Sequence, residues 1–181
     1  MRWRSIGSLH RPRSPRWALG LLLALGLAVA MPTVASADPP SRARVRQLLS
    51  GFETVPGADA WNRLGPETLG VLVALYDDTS ERPYVRLRAV SVAAHYPSPA
   101  ARTFLLGVAR APRQGDLFVR EAVLALGRAF GARAVDDLRP FLASPMPVVR
   151  EATVAALTRI GTRPALDAVR RATTPAPRRA P

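Results

Sequence analysis

The chain has 181 residues, with 26 arginines and no lysine against 13 acidic residues, two histidines and no cysteine, and a net charge of +13. Without cysteine there is no disulfide, thiolate nucleophile or cysteine zinc site; without lysine there is no Walker A phosphate loop and no lysine Schiff base. The length fits one ordinary domain plus a targeting segment. The Arg-, Ala- and Pro-rich composition is that of a GC-rich genome, which lowers the weight of any single arginine.

Residues 1–37 read as a secretory signal peptide. Arg2, Arg4, Arg11, Arg13 and Arg16 form a basic start without an acid, and all 14 residues from Ala18 to Met31 are apolar or glycine. Pro32 ends that run, and Ala35-Ser36-Ala37 supplies the small–x–small pattern before a cleavage point. A membrane-crossing helix needs about 20 apolar residues, so no stable span is expected after cleavage. No cysteine follows the run, as a lipoprotein signal requires, and no arginine pair marks the twin-arginine route. Cleavage ahead of Asp38 leaves 144 residues, with 21 arginines against 13 acids and a charge of +8. The mature protein is therefore expected in the periplasm or outside the cell. His10 leaves with the peptide, and His95 alone is too little for a histidine metal site; no metal and no cofactor is expected.

Residues 38–80 read as a degenerate capping helix pair. "SRARVRQLLSGF" is a helix begun by Ser41, with Val45, Leu48 and Leu49 apolar. "PETLGVLVALYDD" (66–78) is a second, with Pro66 in the first turn, where proline is tolerated. The insertion between them holds a short turn around Trp61, which with Phe52 is expected to cap the core.

Further along, one phrase occurs in three copies: "VRLRAVSVAAHYP" (85–97), "VREAVLALGRAFG" (119–131) and "VREATVAALTRIG" (149–161), spaced by 34 and 30 residues. Each opens on Val-Arg, carries a large apolar residue near its end (Tyr96, Phe130, Ile160) and closes on Pro97, Gly131 or Gly161. In the last copy Val149, Ala152, Ala156 and Ile160 recur at three- and four-residue steps, the stripe of an amphipathic helix. A second helical segment follows each phrase, over 99–110, 133–143 and 163–172. Pro140 is expected to kink the middle one by removing a backbone bond. Two helices per unit of ~30 residues describe an α-solenoid, in which neighbouring units bury each other's stripes.

The Val-Arg opening, the alanines at the following turns and the apolar–Gly end resemble the HEAT repeat, in the short form of the phycobilin lyase-like proteins. The resemblance implies an all-α, right-handed α-solenoid of about four antiparallel helix pairs. Three HEAT-like repeats would fill 81–173, followed by a disordered tail over 174–181. HEAT-like repeats carry an Asp before the Val-Arg, laddering with arginine between units. Here Asp116 stands close before Arg120, Asp78 stands well before Arg86, and only Ser144-Pro145 precedes Arg150.

No residue pattern supplies a reaction centre, and no enzyme is expected. His95 takes a repeat position held elsewhere by Ala129 and Arg159, so it reads as a surface or capping histidine. Asp77-Asp78 and Asp136-Asp137 are adjacent on helices and point about 100° apart, so they do not converge as an acid/base pair must and read as helix-end or solvent-facing charge. Arg86, Arg120 and Arg150 recur with the repeat and read as bonds across units. Arg102, Arg110, Arg139, Arg170 and Arg171 lie on the second helices, which line the concave face of HEAT-like solenoids. They are the expected partner-binding surface, with Arg102, Arg139 and Arg170 forming one basic strip. The expected function is an exported protein–protein scaffold whose partner is an unidentified, acidic protein. The alternatives are an electrostatic binder of an anionic envelope surface and a bilin lyase-like enzyme. Export argues against that cytosolic enzyme and against nucleic acid.

Overall fold

The computed structural model describes residues 40–51, 56–111 and 115–174. The expected signal peptide, with Ala35, Ala37 and Asp38, lies outside these residues, as do Phe52 and residues 175–181. Every regular element among the described residues is helical.

Local chemistry sets most helix ends. Helix α1 (Arg42–Ser50) begins where the Ser41 hydroxyl accepts the Arg44 N–H. A short helix α2 (Ala58–Asn62) carries Trp61, and α3 (Thr68–Asp77) follows the Pro66 turn. Helix α4 (Pro83–Val92) starts on proline, whose missing N–H costs nothing in a first turn. It runs on through a 3-10 turn at Ala93–His95. Ser98 caps α5 (Pro99–Arg110) by accepting the Ala101 N–H. Helix α6 (Asp116–Phe130) ends at Gly131. Helix α8 (Pro147–Ile160) ends where Gly161, at φ 69°, takes the left-handed conformation and returns its N–H to the Leu157 carbonyl. Helix α9 (Arg163–Thr173) completes the described chain.

The segment 133–143, expected as one kinked helix, is instead broken. A 3-10 turn (Gly131–Ala134) leads into the single α-turn α7 (Val135–Leu138), and a second 3-10 stretch (Arg139–Ala143) follows. Pro140 lacks the N–H that would return to residue 136, and its ring crowds that carbonyl.

The three copies of the repeated phrase fall on α4, α6 and α8, and these pack in succession, with α6 against both neighbours. Helix α5 packs on α6, and α9 on α8. Contact between α6 and α8 is very close: a Cβ at Gly127 would stand 3.0 Å from the Ala156 Cβ. The stripe residues Val149, Ala152 and Ala156 are accordingly buried.

Two buried clusters form the core. One joins α1, α2, α3 and α4 through Val45, Leu49, Trp61, Leu72, Leu75 and Ala89. The larger one surrounds α6, and Leu69 and Tyr76 pack against both. Trp61 is fully enclosed. Its indole N–H donates to the Pro56 carbonyl at 3.0 Å, and the Trp61 carbonyl accepts the Tyr96 hydroxyl at 2.7 Å. A core aromatic with its polar atoms satisfied is the arrangement burial demands.

Candidate binding surface

The arginines expected to bind a partner are mostly engaged inside the chain. Arg102 grips Asp137 in a fork, with Nε 2.8 Å from Oδ2 and Nη2 2.9 Å from Oδ1. Arg110 stands 4.0 Å from the same carboxylate. Arg139 pairs with Asp136 at 3.0 Å, and Arg170 pairs with Asp167 one turn away on its own helix. Arg171 is exposed and has no ion pair among the described residues.

The acidic partners on α7 differ in exposure. Asp136 and Asp137 are not both solvent-facing: Asp137 is only 8% exposed, while Asp136 faces water. The 100° between neighbours on a helix turns one outward and the other onto α5. No single hollow among the described residues holds all of Arg102, Arg139 and Arg170. Arg102 lines one, Arg139 lines the next together with Arg171, and Arg170 lines neither.

Three hollows open along the second helices. The first, about 660 Å³, lies between α3 and α5, with Val73, Tyr76, Phe104 and Val108 as apolar walls and Asp77 as its carboxylate. The second, about 430 Å³, lies between α5 and the turn after α6, with Arg102, Leu106, Phe130 and Arg133. The third, about 470 Å³, lies between the 3-10 stretch at Arg139–Ala143 and α9. Thr103 lines both the first and the second, so these two adjoin.

The recurrent arginines do not build a carboxylate ladder. Arg86 donates through Nε to the Tyr76 carbonyl at 2.7 Å, near the end of α3, and stacks over the Tyr76 and Phe118 rings. Arg150 donates to the Ser144 and Pro145 carbonyls at 2.7 and 3.0 Å. Arg120 is exposed, and none of the three forms an ion pair among the described residues. Where the repeat lacks a well-placed Asp, orphan carbonyls of the preceding segment serve as acceptors for two of the three.

His95 is half-buried in a separate hollow of about 300 Å³, beside Asn62, Leu69 and Tyr96, with no carboxylate in its lining. Burial, and then the charge of Arg128, hold its imidazole below the ordinary histidine range. Among the described residues no group of three or more His, Asp or Glu is placed to hold a metal ion. No described helix is long and apolar enough to cross a membrane.

Gly107 and Arg133 are surface features that sequence patterning did not single out. The available signal was an isolated glycine inside the helical run "PAARTFLLGVAR", which costs about 1 kcal/mol against alanine. No family model matches this chain, and neither curated proteins nor solved structures contain a match to it.

Proposed function

We propose that the chain is an exported, non-catalytic scaffold of HEAT-like repeats that binds a protein partner. In this reading α4 with α5, α6 with α7, and α8 with α9 are three repeats of a right-handed solenoid. Helices α1 to α3 then form its atypical N-terminal cap, which a solenoid needs at its end. Support comes from the three copies of one phrase on three successively packed helices. The observation that carries the functional part is the run of three hollows along the second helices, an extended surface of the kind solenoids use for binding. The basic, proline-broken apolar start of the chain supports export.

A photo-crosslinking residue placed at Ala100, exposed beside the first hollow, tests this in the intact envelope. The expected result is a single identified protein adduct that is missing when the same residue is placed at Thr158, exposed at a separate hollow of about 600 Å³ on α8, away from the second helices. Equal labelling from both positions, or none from Ala100, would overturn the reading. The alternative, an electrostatic binder of an anionic envelope surface, draws on Arg133 and Arg171, both exposed and free of carboxylate partners among the described residues. It requires salt-sensitive binding to anionic vesicles.

A further inference from the structure

Of the three glycines within α-helices, Gly70 lies in the first turn of α3, Gly107 and Gly127 lie further in, and only Gly127 has a packing reason. Gly127 admits Ala156, as described above. A Cβ at Gly107 would meet nothing within 4 Å, so the interior of α5 carries a poor helix former that no neighbour requires. Gly107 is exposed and lines the hollow between α3 and α5. The half-buried rings of Tyr76 and Phe104 line it too, packed edge to face with centroids 5.3 Å apart. Its missing side chain keeps open a seat with aromatic walls.

The seat leads into a basic cleft. Past Thr103, which lines both hollows, stand Arg102 and Arg133. Asp137 holds Arg102 through Nε and Nη2. Arg133 lies over the Phe130 ring at 5.8 Å and has no carboxylate partner among the described residues. Asp77 is exposed at the first hollow and disfavours an anion there.

From this juxtaposition we infer that an extended acidic–aromatic polypeptide segment crosses α5 at Thr103. It lays a large apolar or aromatic side chain over Gly107 and sets a carboxylate on Arg133. The order is fixed by charge: Asp77 repels the carboxylate from the first hollow, and Arg133 attracts it to the second. This rests on the scaffold reading and names the chemistry of its partner.

The test measures binding of the purified chain to a dye-labelled random Glu–Tyr copolymer by fluorescence anisotropy. Polyglutamate, a Lys–Tyr copolymer and anionic phospholipid vesicles serve as comparisons. The Glu–Tyr copolymer is expected to bind best. Gly107→Leu should reduce its affinity about tenfold, the scale of one buried apolar side chain, and leave weak polyglutamate binding unchanged. Its melting temperature should not fall, because leucine favours the helix and a Cβ has free space there. Gly107→Ala, which barely fills the seat, should bind nearly as wild type. Arg133→Gln should weaken binding and flatten its salt dependence. Undiminished binding by Gly107→Leu, equal binding of the Lys–Tyr copolymer, or binding to the vesicles alone would overturn the inference. A partner adduct at Ala100 together with any of these results removes the inference and leaves the scaffold; absence of that adduct removes the scaffold itself.

Discussion

Ala156→Asp probes the tightest helix contact in the molecule. Ala156 is 3% exposed, and its Cβ already rests on the bare backbone of Gly127, where even a methyl group would stand only 3.0 Å away. An atom beyond Cβ at residue 156 that points along this contact pushes α6 and α8 apart. Overpacking of this kind costs about 1–3 kcal/mol. Burying an uncompensated polar group adds about 1–3 kcal/mol more. The sum, roughly 2–6 kcal/mol, is a large share of the ~5–15 kcal/mol that holds a domain of this size. Thr158→Asp, exposed on the same helix, should cost no more than about 1 kcal/mol, mostly from an anion near the helix C-terminus. Thermal melts followed by helical circular dichroism make the comparison, and the Ala156 variant should melt at least ~3 °C below the Thr158 variant. The buried carboxyl, disfavoured as an anion, would have a raised folded pKa. The Ala156→Asp deficit should then shrink as pH falls below that value. Equal melting temperatures for the two variants would mean that α6 and α8 do not meet at this residue.

Other consequences can be checked separately. Asp137→Asn should destabilise the chain by about 1–3 kcal/mol in urea unfolding, because it weakens a charge-assisted fork. Combined with Arg102→Gln, the loss should be clearly less than additive; strict additivity would deny the coupling. Helix α1 should be the first to loosen in acid. Hydrogen bonds from Ser80, then Arg42, hold the Asp78 carboxyl below the ordinary range, and the Arg82 N–H, then Arg46, do the same for Glu81. Because both folded values are lowered, their contribution is full above the unfolded values near ~4 and is lost as pH falls through the folded ones. Hydrogen exchange should show α1 losing protection as pH falls below about 4 while α6 keeps it; equal loss in both would count against the ion-pair attachment of α1. Finally, the exported form should begin at Asp38 by intact mass. A membrane-held product retaining residues 1–37 would contradict a cleaved signal.

What the sequence alone determined lies at short range. Ser41 marks a helix start and Gly161 marks an end, because caps act within one turn of the chain. Ala152 and Ala156 were legible as a buried stripe, since a period of 3.6 residues decides which side of a helix faces in. Pro140 announced a disturbance through its missing N–H, although not that α7 would shrink to a single turn. The tertiary structure decided everything that joins distant residues. Asp137 looked like one of two surface acids until α5 placed Arg102 against it, 35 residues away in the chain. Arg102 and its fellows looked like one free strip, but which arginines keep an open guanidinium depends on carboxylates delivered by packing. Gly107 differs from Gly127 in the same way. Both are glycines inside helices, and only the position of the next helix shows that one makes room for Ala156 while the other opens onto a groove.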